Sequence, residues 1–281
     1  MEDPQWDVVI DAKESKGRSS FKDLWRYRDL LWLLVRRDFV SFYKQTILGP
    51  IWFLIQPIFT AAIYLFVFGN LAGLSSDGIP PPLFYISGIT AWTYFSETLV
   101  KTSGVLRDNA SIFGKVYFPR LIMPLSIIFS NLFRLGIQLM LIFIIMSYYL
   151  ITSDLVIITP AIFLLPFVII VIAVQSVGIG LFVSAITSKY RDLALLLGFG
   201  LQLLMFTSTV VYPLSGVGGI FKLIVAANPL SFAIELFRFS MFGKGTIPIE
   251  GLLYLCGITT TIFMLGLISF NRAEKTFVDT I

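Results

Sequence analysis

Six stretches of this chain carry no Asp, Glu, Lys or Arg at all: residues 45–76, 78–96, 135–153, 155–188, 193–221 and 251–271. A helix needs about 20 consecutive apolar residues to cross a bilayer core, and several of these runs reach that length unaided. Only helices and closed barrels satisfy their own backbone hydrogen bonds in lipid. Charged residues make up 14% of the 281 residues, against about 25% in soluble domains, so the soluble alternative fails. The sequence therefore predicts an all-α membrane protein with six spans, at about 47–71, 83–106, 121–149, 156–184, 193–212 and 250–270.

Lys and Arg between the spans set the orientation. The N-terminal segment has nine, the 101–120 loop four, the 185–192 loop two and the tail after 270 two, while 72–82 and 150–155 have none. That alternation, broken by three basic residues in 213–249 on the expected outer side, places both termini in the cytoplasm. The pI of 9.1 then reports topology rather than a nucleic-acid partner. The first 46 residues are polar and of mixed charge, which does not read as a signal peptide. Residues 23–45 interleave Trp, Tyr, Phe and Leu with Arg and Lys, as suits an amphipathic helix in the interface. The chain thus divides into an N-terminal segment, 1–46, and a membrane domain, 47–281.

Two segments do not fit simple spans. Residues 229–242 start after Asn228 with Pro229 in the first helical position and stop at Gly243. Fourteen residues at ~1.5 Å each are too short to cross. Ser231, Glu235 and Arg238 share one stripe, and 216–227 supplies a second short piece. Together 216–242 read as a re-entrant hairpin or as an amphipathic loop on the outer surface. In the 101–120 loop, Asn109 opens a short helix closed by Pro119, with Ile112, Phe113, Val116 and Tyr117 on one face and Ser111 and Lys115 opposite. Such a helix either fills a partner's groove or rests on the bilayer.

Several chemistries are excluded by residue type. There is no histidine, which removes His-based metal sites, triads and proton relays, and the one cysteine, Cys256, cannot form an internal disulfide. No phosphate-binding loop occurs; "GKGT" at 243–246 lacks the upstream glycine. Acids are too scattered for a membrane glycosyltransferase. Within the spans, Glu97 and Lys101 are four apart and predict a helical pair, with Lys101 snorkelling to the cytoplasm. Arg134 falls near mid-bilayer, and Glu97, its candidate partner, counts to a different depth. Trp52, Phe59 and Phe66, seven apart, share a face, and Tyr85 and Trp92 repeat the spacing. These rings either line a conduit for sugars, whose C–H faces lie well on aromatics, or pack against protein and lipid.

"RRDFVSFYKQTILGPIWFLIQP" (36–57), "NASIFGKVYFPRLIMPL" (109–125), "SKYRDL" (188–193), "VVYPLS" (210–215), "NPLSFAIELFR" (228–238) and "FNRAEKTFVDTI" (270–281) occur in this order between the spans. Together they resemble the permease subunit of ATP-binding-cassette type-2 exporters, of the O-antigen and teichoic-acid polysaccharide (Wzm-like) group. The resemblance implies a homodimer in the bacterial inner membrane, joined below by two cytoplasmic ATPase subunits that bind the ATP and Mg. The chain itself would hold no cofactor and no metal. It would export an undecaprenyl-diphosphate-linked polysaccharide. Residues 109–119, with Asn109, Ile112, Phe113, Lys115, Val116, Tyr117, Pro119 and the adjoining Arg120, would be the joint to the ATPase. Leu48 and Gly49 would border the cytoplasmic entrance, with Arg36, Arg37 and Lys44 toward the diphosphate, although positive-inside topology explains those cations equally well. The 216–242 hairpin, including Asn228, Pro229, Glu235 and Arg238, would be the outer gate. A type-2 permease for a smaller lipid, glycolipid or drug, and an ATP-independent carrier or flippase, remain the competing readings.

Overall fold

The computed structural model describes residues 21–44, 47, 49–113, 118–153, 155–157, 159–190, 192–245 and 249–278. Leu48, Lys115, Val116 and Tyr117 lie outside the described residues. All regular structure within them is helical. Two helices, α1 (Phe21–Arg26) and α2 (Arg28–Tyr43), precede α3 (Trp52–Tyr64), which runs on as a π-helical stretch, Leu65–Leu71. Then follow α4 (Pro81–Ser103), the short α5 (Val105–Asp108) and α6 (Ala110–Phe113), α7 (Ile122–Thr152) and α8 (Leu165–Thr187). The chain ends with α9 (Leu193–Phe206), α10 (Gly219–Ala227), α11 (Pro229–Phe242) and α12 (Ile249–Val278).

Among the described residues four helical segments are long and apolar enough to cross a membrane: Gly49–Leu71, Ile122–Thr152, Pro160–Thr187 and Ile249–Glu274. The pair α10–α11, bent by 83°, would make a fifth. Two of the expected spans behave differently. Helix α9 is apolar but has 14 residues, ~21 Å of helix. Helix α4 has 23 residues, enough to cross, yet is too polar to qualify on composition.

The polarity of α4 has a structural cause. It is the most enclosed of the helices longer than 20 residues, with Leu83 to Ala91 buried without a break. A helix walled by protein is free of the demand for lipid-compatible side chains. Helices inside a membrane associate through small residues and close backbones rather than through apolar burial. Against α8, a Cβ added to Gly180 would meet the Leu99 carbonyl at 3.0 Å. Between α8 and α12 the approach is closer: a Cβ on Gly266 would overlap the Gly178 carbonyl, and one on Gly178 would lie 2.8 Å from the Phe263 Cα. Gln175 Nε2 donates to Thr259 Oγ1 across the same seam at 3.2 Å. Helices α4, α8 and α12 therefore form the packed centre, with α3 and α7 against α4.

A second core closes the end where the 105–123 region lies. Leu34 of α2, Leu106, Phe118, Ile122, Leu181 and Phe270 meet there. The N-terminal helix thus does more than float in an interface. It packs along α7, with Trp32 6.3 Å from Phe129 and Phe39 6.1 Å from Phe133, while Trp25 and Leu33 stay exposed.

Candidate transport site

Three helices bring polar residues together in the middle of the molecule. Asn131, Arg134 and Gln138 on α7 stand at i, i+3 and i+7; Thr93, Glu97 and Lys101 on α4 and Gln56 and Thr60 on α3 repeat at four-residue spacing. Each set is one helical stripe. All of them except Lys101 line one cavity of about 260 Å³ between α3, α4 and α7, with Trp52 and Trp92 on its wall.

The charges inside it are paired, in a way that corrects the expectation of a Glu97–Lys101 pair. Arg134 Nη1 bonds Glu97 Oε2 at 2.5 Å, and its guanidinium lies 4.8 Å from the Phe53 ring centre. Lys101 turns instead to α7, donating to Asn131 Oδ1 at 3.2 Å, and Asn131 donates to Thr98 Oγ1 at 2.9 Å. Glu97 is thus the partner of Arg134 that the sequence offered, despite the different depths counted along it. Gln138 has a separate task. Pro57 has no N–H, so the Phe53 carbonyl one turn earlier lacks its helical donor. Gln138 Nε2 reaches that oxygen at 3.3 Å.

Of the rings expected on one face, Trp52, Phe59 and Phe66 are indeed exposed along α3 and its π-helical extension. Trp92 is half-buried at the cavity. Tyr85 is fully buried, edge-on to Phe84 at 5.4 Å, and does not reach that surface.

Near the Phe118 end, Asn109 closes α5, its Nδ2 donating to the Val105 carbonyl at 3.0 Å. Ile112 and Phe113 are half-buried against the second core rather than fully displayed. The Phe113 ring lies 5.6 Å from Phe118, and the Arg120 guanidinium 5.2 Å above it. Arg120 also donates to the Glu274 carbonyl at 2.8 Å and approaches its carboxylate at 3.5 Å. The segment behind Pro119 is thereby tied to the last helix, a link that sequence spacing gave no means of finding. On α2, Arg36 and Arg37 are exposed, the latter bonded to Asp38 at 2.8 Å, and Lys44 ends the helix in solvent. Gly49 has a positive φ of 55° at the turn into α3.

At the other end, α11 begins and stops where its capping residues require. Asn228 accepts from the Leu230 N–H at 3.0 Å, Pro229 follows, and Gly243 closes the helix with φ 62°. Its polar stripe faces inward. Ser231 and Arg238 are buried, and Arg238 donates to the carbonyls of Thr209 at 2.6 Å, Val210 at 2.8 Å and Phe84 at 3.4 Å. Glu235 lies 3.6 Å from Arg238 and accepts from the Leu214 N–H. The guanidinium sits 3.6 Å over the Phe84 ring. A surface amphipathic loop is therefore not what α11 forms. Helix α10 is different, exposing Ile220, Leu223 and Ile224.

The described residues thus form an all-helical membrane domain with a polar, aromatic-rimmed cavity between its helices. The chain is a member of the ABC-2 type transporter family, whose model matches residues 29–242. Among its relatives is an O-antigen export system permease protein, RfbA, of Klebsiella pneumoniae, 26% identical over 89% of this chain and 94% of the relative. A protein of the same description from Myxococcus xanthus is 24% identical over 92% and 98% of the two chains. The polysialic acid transport protein KpsM of Escherichia coli is 23% identical over 88% and 94%.

Proposed function

We propose that this chain is the permease subunit of an ATP-driven exporter that moves undecaprenyl-diphosphate-linked polysaccharide, of the O-antigen kind, across the bacterial inner membrane. The observation that carries this reading is the cavity between α3, α4 and α7. Amide, hydroxyl and paired charged groups offer hydrogen bonds to sugar hydroxyls, and Trp52 and Trp92 offer faces for sugar C–H groups. Relatives named for O-antigen export and polysialic acid transport support the same substrate class.

Two copies pair, and the exposed Trp52, Phe59 and Phe66 face of α3 lines the channel between them. Helices α4 and α9, the latter extended by the turn after Phe206, complete six spans around the four apolar ones, with both termini in the cytoplasm. Residues 1–46 form the N-terminal segment and 47–281 the membrane domain. ATP and Mg are bound by a separate subunit, which docks on the segment from Asn109 to Arg120. Through Arg120 and Glu274 the same docking would reach α12. Arg36, Arg37, Lys44, Leu48 and Gly49 border the entrance, and α10–α11 form the outer gate.

Purification of the tagged chain from its host in mild detergent tests this. A second chain carrying a phosphate-loop motif should accompany it in stoichiometric amount, and loss of that partner's gene should leave lipid-linked polysaccharide on the cytoplasmic side. A chain that purifies alone and still exports would sink the proposal.

A further inference from the structure

Two further hollows meet at Lys101. One is a polar cleft of about 450 Å³ between α2, α4 and α7, bordered by Arg37, Asp38, Ser41, Asp108 and Arg134. The other is an apolar groove of about 430 Å³ between α4 and α9, walled by Trp92, Val100, Leu201 and Met205. Lys101 lines the cleft from α4, Arg134 from α7, and Arg37 and Ser41 from α2.

The charges around the cleft leave one cation over. Asp38 accepts from Arg37 at 3.0 and 2.8 Å, Asp108 from Arg107 at 2.8 Å, and Glu97 from Arg134. Among the described residues no carboxylate lies within ion-pair distance of Lys101. Its ammonium, with three donors, gives one hydrogen bond, to Asn131 Oδ1. The bond from Asn131 to Thr98 fixes the amide so that its oxygen faces the lysine. A snorkelling lysine would point along its helix toward water; this one is held sideways against α7. The partly buried ammonium has Arg134 as a like charge nearby and only the more distant carboxylates of Glu97 and Asp38 to offset it, and an anion seated in the cleft would add a counter-charge in direct contact.

We infer that Lys101 anchors a binding site for a lipid with a phosphate or diphosphate headgroup. The anion occupies the polar cleft, which Lys101, Arg37 and Arg134 line together, and the hydrocarbon chain lies in the Trp92–Met205 groove. Charge-assisted hydrogen bonds from ammonium and guanidinium to phosphate are of the strong kind. The site is separate from the exposed cations Arg36 and Lys44. It rests on the proposed function only for the identity of the lipid as substrate; an anionic phospholipid of the same leaflet presents the same chemistry.

The test uses the full chain alone in nanodiscs of zwitterionic lipid, titrated with a polyprenyl diphosphate, with phosphatidylglycerol, or with the uncharged polyprenol, and read by native mass spectrometry. Lys101→Gln should weaken diphosphate binding at least about tenfold, the loss of one charge-assisted contact of about 1.5–3 kcal/mol. Lys101→Arg should stay close to wild type. Arg28→Gln, on the exposed face of α2, controls for net charge and should change nothing. Ser41→Glu, on the exposed rim, should weaken binding without touching the packed helices, which covers failure of a Lys101 variant to insert. Selective loss of the diphosphate identifies the substrate lipid, and equal loss of both anions identifies a phospholipid headgroup. Unchanged affinity in Lys101→Gln and Ser41→Glu overturns the site. Because no ATPase is present, the site can stand while the exporter reading fails, and the reverse.

Discussion

Replacing Arg238 by methionine should be among the most damaging single changes in this chain. Methionine keeps most of the volume and removes the guanidinium. Three carbonyl oxygens, on Thr209, Val210 and Phe84, then lose a donor, and Glu235 loses its counter-charge. Hydrogen bonds between membrane helices average ~0.6 kcal/mol each, so the three carbonyls together account for about 2 kcal/mol. Stranding one member of a buried ion pair costs 3–5 kcal/mol in water-soluble proteins. These contributions share one side chain and do not add, which puts the expected loss at about 2–5 kcal/mol. Reversible unfolding in mixed micelles of rising dodecyl-sulfate fraction would read it. The double variant Arg238→Met with Glu235→Gln should regain at least about 1 kcal/mol, because the stranded charge goes with it. A loss below about 1 kcal/mol for the single variant, or no recovery in the double one, would refute the view that a charged clasp holds α11 against α4 and the 207–214 turn.

Two packing predictions follow from α12. Gly266→Ala should destabilise by about 1–3 kcal/mol through overpacking against the Gly178 carbonyl, whereas Gly257→Ala, with open space at its Cβ, should be neutral or mildly stabilising in the same unfolding assay. At the other end of the helix, Arg120→Met should cost more than Glu274→Gln, since the bond to the Glu274 carbonyl and the stacking on Phe113 survive only in the second. A double-mutant cycle between them should give a side-chain coupling of about 0.2–1 kcal/mol. A coupling of zero would show that the carboxylate contributes nothing to that link.

Four of the six expected spans were legible because lipid imposes one requirement on every residue it touches. The α11 boundaries were legible for a local reason too: Asn228, Pro229 and Gly243 act within one turn of their own backbone. Helix α4 was legible as a helix, but its place at the centre was not, since enclosure by other helices leaves no periodic signature in its own residues. The stripe of Asn131, Arg134 and Gln138 was present in the sequence at helical spacing, and attention to charges alone passed over its uncharged members.

Sequence by itself determined the solvent this chain requires, its helical class and the capping of the short helix α11, because each follows from residues close together or from the lipid around them. Tertiary structure alone decided the partners. Glu97 bonds Arg134 rather than Lys101, Gln138 supplies the donor that Pro57 withholds from Phe53, and Arg120 reaches Glu274 across 154 residues. Those pairings depend on how helices slide and turn against one another, and that is set by small contact residues such as Gly178 and Gly266, whose influence lies in the side chain they lack.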